Sequence, residues 1–161
     1  MRGSRAESLA DAGCEAAFQR HDVTSEDDWR VVVAATLARF GRIDVLVNSA
    51  GVAGSAPLLE SSLEAWRAVL AVNLDGVFLG LRHVAPAMIE SGGGSVINLA
   101  SILGKVGQPG AAAYCASKGG DAAVQGGGAG TGLGGDPSQL GLSRLYRDTD
   151  GCQRAAPDGE R

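Results

Sequence analysis

The most constraining stretch of this chain runs from Thr24 to Gly51. Thr24 or Ser25 can cap a helix, with Asp27 or Asp28 three residues on as capping-box partner. Trp29, Val33, Leu37 and Phe40 then repeat on one helical face until Gly41 stops it. Ile43 to Val47 follows as a nearly all-apolar run, the mark of a strand covered on both faces. A capped helix feeding a buried strand is the repeating unit of a doubly wound parallel sheet. The brief run from Ala16 to Arg20 reads as the strand before the helix, with Asp22-Val23-Thr24 as its exit.

The same grammar continues downstream. Ser61 is placed to cap a second helix, with Glu64 as reciprocal partner. Trp66, Leu70, Asn73, Val77 and Leu81 share its inner face, extended by Val84 and Met88. Gly92-Gly93-Gly94 ends it, and Ser95 to Leu99 reads as a third strand. Asn73 stands out in that stripe, because a buried amide without partners costs about 1–3 kcal/mol. It either satisfies a nearby carbonyl or has a role.

The end of that third strand carries the chemistry. Ser101, Tyr114 and Lys118 surround a Gly/Pro-punctuated loop, and Tyr114 and Lys118 are spaced to share one face of a helix. A free phenol titrates near pH 10 and is a poor proton carrier at neutrality, whereas an adjacent ammonium favours the phenolate. Ser101 can hydrogen-bond the oxygen whose proton Tyr114 handles. Asn48-Ser49-Ala50-Gly51, at the exit of the Ile43–Val47 run, is a small-residue turn suited to close approach of a ligand.

Composition limits the alternatives. The formal charge of −4 argues against an electrostatic nucleic-acid binder. Three widely spaced cysteines, Cys14, Cys115 and Cys152, suit a reducing compartment and offer no metal framework. No run of eighteen apolar residues supports a membrane span, and Met1 to Ala10 lacks a secretory core, so a cytoplasmic protein is expected.

Taken together, "INLAS", with thirteen residues from its Ser101 to the Tyr114 of "YCASK", resembles the active-site region of the short-chain dehydrogenase/reductase family. The likeness covers roughly residues 17 to 120. It also includes Asn48-Ser49-Ala50-Gly51, which resembles the family's Asn-x-Ala-Gly block, and "NLDGVF" from Asn73. The resemblance implies an α/β, three-layer, partial doubly wound (Rossmann-like) parallel sheet. It implies Tyr114 as acid/base, Ser101 as the orienter of the substrate oxygen, and Lys118 as the group that lowers the Tyr114 pKa and holds the nicotinamide ribose. Asn73 would kink its helix and anchor a water continuing the proton path. Asp22 and Val23 would lie around the adenine, with Asn48, Ala50 and Gly51 by the ribose and nicotinamide. The implied reaction is reversible hydride transfer between NAD or NADP, NAD slightly preferred, and a secondary alcohol or ketone. The small apolar loops Val52–Glu60 and Ile102–Ala113 hint at an alicyclic or steroid-like alcohol. Pairing of chains through the helices of Asn73 and Tyr114 is the implied oligomer.

The chain also departs from that family. No Gly-x-x-x-Gly-x-Gly stretch precedes residue 41, and the family's second strand has no counterpart. Such a fold, truncated at both ends, would leave strand edges open. Gly119 to Gly135 holds nine glycines in seventeen residues, so helix should stop soon after Val124. No later strand is expected; Leu140, Leu142, Leu145 and Tyr146 suggest one short helix in an otherwise irregular tail. The domain expectation is therefore a partial dinucleotide-binding domain over 1–122 and a glycine-rich tail over 123–161. Two readings follow: an NAD(P)-dependent dehydrogenase, and a noncatalytic remnant or interaction protein unable to bind the dinucleotide. For the isolated chain the missing cradle favours the second.

Overall fold

A computed structural model describes residues 15–120 and the backbone of 140–145. In order, the regular elements are α1 (Glu26–Phe40), β1 (Val45–Asn48), α2 (Leu63–Leu70), α3 (Gly76–Glu90), β2 (Gly94–Leu99), α4 (112–120) and β3 (Leu140–Leu145). The three strands form one parallel sheet in the order β1-β2-β3. Parallel neighbours with helical crossovers are what the alternation of capped helices and apolar runs requires.

α1 begins as expected at Ser25, whose hydroxyl oxygen accepts from the Asp28 N–H at 3.1 Å. It ends at Gly41, whose φ of 78° lets its N–H turn back to the Leu37 carbonyl. Trp29 is the buried anchor of this helix and donates its indole N–H to the Val23 carbonyl at 2.9 Å. Phe40, in contrast, lies exposed at the helix end.

The second helix starts one residue later than expected. Ser62 caps it by accepting from the Ala65 N–H, while the Ser61 hydroxyl turns back to the Pro57 carbonyl. Between α2 and α3 the chain makes a π-helical turn, Ala71–Asp75, with Asn73 inside it. A π-turn adds a residue to the helical repeat and advances the phase of the apolar stripe. Trp66 and Leu70 are accordingly only half-buried, while Val69, Asn73, Val77, Val84 and Met88 form the buried line. The continuous helical run Leu63–Glu90 is long and apolar enough to cross a membrane by length and composition only, and its buried residues Leu79, Val84 and Met88 belong to the core.

The core is built on one face of the sheet from Trp29, Leu79, Val84, Met88 and Val96, with Leu46 and Ile43 packed alongside. The β1–β2 register sets Leu46 beside Val96 and Asn48 beside Asn98, so these four share that face. The alternate residues Val45 and Val47 are 54% and 52% exposed. β1 is thus covered on one face, not both as its composition suggested. Among the described residues no strand pairs with its outer edge.

Two further expectations are corrected. Residues 16–20 form no strand: among the described residues they have no ladder partner, and Phe18 lies exposed. An extended segment without a neighbour cannot satisfy its backbone through a sheet. Residues 140–145 are a strand, not a helix, and pair with β2 in parallel from Gly94↔Leu140 to Leu99↔Leu145. Gly141 weakens a helix there, whereas the second edge of β2 offers a full set of backbone partners. The first fourteen residues, the 122/123 boundary, residues 121–135 of the glycine-rich segment and Tyr146 lie outside the described residues.

Candidate functional site

β2 delivers the chain to Ser101, which caps a single 3₁₀ turn, Ile102–Gly104, by accepting from the Leu103 N–H at 3.2 Å. A loop containing the left-handed Gly110 then leads into α4, whose third residue is Tyr114. Gly104 seats the turn directly on that helix. A Cβ there would lie 2.5 Å from the Lys118 carbonyl oxygen, so only glycine lets the two backbones approach this closely.

Lys118 is 7% exposed, and its ammonium donates to the Leu99 carbonyl at 2.7 Å. The bond ties α4 to the end of β2 and takes one of the three ammonium hydrogens. Tyr114 is half-buried, and its hydroxyl bonds to no described residue.

Asn73 is 1% exposed and fully bonded. Its Oδ1 accepts from the Val52 N–H at 2.8 Å; its Nδ2 donates to the Val52 carbonyl at 2.9 Å and to Ser117 Oγ at 3.0 Å. The Ser117 hydroxyl in turn donates to the Tyr114 carbonyl at 2.8 Å. The amide that looked costly in the sequence therefore joins the loop after β1 to the helix carrying Tyr114 and Lys118.

The loop after β1 reaches the other part of the site. Asn48 is buried and donates its amide to Asn98 Oδ1 at 2.8 Å, so it faces the neighbouring strand. Asn48, Ser49 and Ala50 line a cleft of about 160 Å³ together with His21, Val23 and Trp29. Gly51 follows against Asn73, with room for no more than ordinary contact to its Oδ1. Asp22 lies exposed beside the cleft, its carboxylate accepting from the Thr24 N–H and hydroxyl at 2.9 and 2.8 Å. Those bonds, the backbone one foremost, hold the Asp22 carboxyl below its ordinary range.

His21 stands edge-on to Trp29 with ring centroids 4.2 Å apart, and its Nε2 is buried without a hydrogen-bond partner. Burial lowers its pKa and outweighs the opposing pull of Asp28 and Asp22. The structure thus assembles two groups of the named residues: Val23, Asn48 and Ala50 at the cleft, and Asn73, Tyr114 and Lys118 around α4. The segment Asn48–Val52 runs between them. Ser117, Gly104 and His21 were not singled out in the sequence; the i, i+3 spacing of Tyr114 and Ser117 was the available signal for the first.

Comparison with known proteins identifies the family. The model of the short chain dehydrogenase family matches residues 3–126. A 2,5-dichloro-2,5-cyclohexadiene-1,4-diol dehydrogenase of Sphingobium indicum is 39% identical over 107 residues, 66% of this chain and 43% of that protein. A cis-4-hydroxycyclohexanecarboxylate dehydrogenase of Sinomonas cyclohexanicum is 43% identical over 116 residues, 71% of this chain and 47% of that protein. The chain therefore spans less than half the length of these relatives. Among solved structures, a short-chain dehydrogenase from Burkholderia phymatum in complex with NAD superposes with a TM-score of 0.81 at 29% identity, covering 89% of this chain and 51% of that one. A gluconate 5-dehydrogenase from Burkholderia cenocepacia, in complex with NADP and tartrate, gives 0.78 at 34% identity, covering 89% and 55%. With a family model matched over residues 3–126 and a parallel sheet that superposes on those of solved members, this chain belongs to the short-chain dehydrogenase family.

Proposed function

We propose that these residues form the reaction end of an NAD(P)-linked dehydrogenase acting on a secondary alcohol or ketone, and that the alcohol is small and alicyclic. The observation that carries the reading is the bonded path from Val52 through Asn73 and Ser117 to the backbone of Tyr114, which holds the loop and the proton-handling helix in one geometry. The named substrates of the relatives, a cyclohexadiene diol, a hydroxycyclohexanecarboxylate and, for a Comamonas enzyme 44% identical over 107 residues, cyclopentanol, support the alicyclic class.

The residues present fit the adenine and nicotinamide ends of the cofactor. Ala50 and Gly51 offer exposed small residues, and Lys118 retains two ammonium hydrogens for ribose hydroxyls. Residues 15–40 contain no glycine, so the described chain before α1 supplies no backbone cradle for a pyrophosphate. Asp22 and Val23, beside and at the cleft, would take the adenine end, and Asn48, Ala50, Gly51, Lys118 and Tyr114 the ribose and nicotinamide. When bound, the nicotinamide gives or takes the hydride.

The chain's own part is proton handling and orientation. Tyr114 gives its phenolic proton to the carbonyl oxygen in reduction and takes the hydroxyl proton in oxidation. Ser101, whose hydroxyl hydrogen has no described acceptor, donates to that oxygen and fixes its direction. Asn73 acts as a positioning residue through Val52 and Ser117. A cytoplasmic location and pairing of chains through the helices carrying Asn73 and Tyr114 belong to the same reading.

A second reading rests on the half-open face of β1, its edge without a partner strand among the described residues, and the glycine-free stretch before α1: a protein that keeps this site but binds no dinucleotide. Calorimetry with NAD⁺ and NADP⁺ on the purified chain separates them. The proposed function expects a dissociation constant below about 100 μM, that is about −5.5 kcal/mol or better, lost in Lys118→Ala. It also expects cyclopentanol oxidation that falls by about 10²-fold or more in Tyr114→Phe with cofactor affinity kept. No binding of either nucleotide establishes the second reading instead.

A further inference from the structure

We infer that Ser117 is a positioning residue: its hydroxyl sets the face that Tyr114 and Lys118 present relative to the Asn48–Val52 loop. The inference deepens the proposed function and rests on it for its chemical meaning, but its geometry stands independently. Ser117 is 0% exposed, so its hydroxyl has no water to turn to. A serine on a helix commonly bonds a carbonyl of its own preceding turn and stops there. Here the donation to the Tyr114 carbonyl fixes the hydroxyl proton, and the oxygen's lone pairs are left facing Asn73 Nδ2, which donates into them.

Each group in this chain has its capacity used. Asn73 spends both amide hydrogens, on Val52 and Ser117, and its Oδ1 on the Val52 N–H. If Ser117 loses its acceptor, one Asn73 hydrogen is left unpaired in a site closed to water, and the amide must turn to find another partner. Turning it breaks the two bonds that clamp Val52. A change on the inner face of α4 is thereby felt at the loop after β1, 65 residues earlier in the chain. Steric filling alone predicts no such remote effect.

The test is amide hydrogen exchange by NMR on the full chain, comparing Val52 with Val96 and Ile97 of β2. Ser117→Cys keeps the volume but replaces the hydroxyl with a weak acceptor; Ser117→Thr keeps the hydroxyl. Ser117→Cys should speed exchange at Val52 at least tenfold while Val96 and Ile97 change less than twofold, and Ser117→Thr should stay near wild type at Val52. In an Asn73→Ala background, Ser117→Cys should add nothing further at Val52. Unchanged Val52 exchange in Ser117→Cys, uniform loss of protection at all three amides, or a Thr variant as fast as Cys would each overturn the coupling. No turnover or nucleotide is needed, so an inactive chain would refute the proposed function without touching this result.

Discussion

Gly104→Ala is the sharpest perturbation the site offers. The added Cβ would sit 2.5 Å from the Lys118 carbonyl oxygen and 2.8 Å from its carbonyl carbon. Carbon–oxygen contacts in proteins settle at about 3.3 Å or more, so turn and helix must separate by about 0.8 Å. Both offending atoms are backbone of α4, so no rotamer change relieves the overlap. Overpacking of this kind costs about 1–3 kcal/mol, offset by about 0.4–1 kcal/mol from the stiffer unfolded chain. The net expectation is a loss of about 1–2 kcal/mol. Gly107→Ala is the internal control: it lies in the same loop with no atom within 4 Å of a Cβ and should be neutral to slightly stabilising. Urea unfolding followed by the fluorescence of Trp29 and Trp66 reports the comparison, with Gly104→Ala unfolding about 0.5–1 M earlier at unchanged slope. Because the displaced atoms belong to Lys118, activity should fall by more than stability alone explains, on the order of 10²-fold for a shift approaching 1 Å. Equal unfolding free energies for the two variants, within about 0.5 kcal/mol, would show that the turn and α4 do not bear on one another.

Asn73→Leu, close in volume, leaves both Val52 backbone groups and Ser117 Oγ without their partner; a loss of about 2–4 kcal/mol is expected in the same urea assay, and a loss under 0.5 kcal/mol would contradict the network. Trp29→Phe removes the bond to the Val23 carbonyl and part of a core ring, so about 1.5–3 kcal/mol should go, with the loosening seen first as faster exchange around Val23. The pH dependence has two windows. His21 is held below its ordinary value of about 6.5, so the unfolded chain takes up a proton first and stability falls as pH drops below that value; His21→Phe should flatten the thermal melting profile there, and an unflattened profile would exonerate His21. Asp22 is lowered too, so its contribution is present above the ordinary carboxylate range and lost as pH falls through its folded value, a lower window that Asp22→Asn should remove.

Which parts of this arrangement the amino acids announce follows from how local their causes are. The Ser25 cap, the Gly41 stop and the buried Trp29 each depend on neighbours within a few residues, and all three are readable from spacing. Coverage of β1 is not local: Ile43 to Val47 carries the apolar composition of a strand buried on both faces, yet burial depends on what lies opposite, and Val45 and Val47 remain half open. The π-turn escapes periodicity because no residue type demands it; its effect is the phase change that moves burial from Trp66 and Leu70 to Val69. β3 escapes for a related reason, since a glycine-spaced leucine run says little until the edge of β2 is there to receive it.

For the site the divide falls in the same place and explains a difference in character among its residues. Tyr114, Lys118 and Ser101, the residues proposed above for proton handling, stand out in the sequence because the chemistry proposed for them is in their own side chains. Ser117, Gly104 and the Leu99 carbonyl are silent because each matters only through one atom met across the fold: the Asn73 amide, the Lys118 carbonyl and the Lys118 ammonium. Asn73 joins the two classes, conspicuous as a polar group in an apolar stripe and explained only when Val52 and Ser117 arrive beside it. The pair proposed to handle the proton, on a single helical turn, would otherwise be free to rotate with its helix. Three tertiary contacts, at Leu99, Gly104 and Asn73, bear on less than two turns of α4, and together they leave that helix little freedom to turn or slide relative to the sheet.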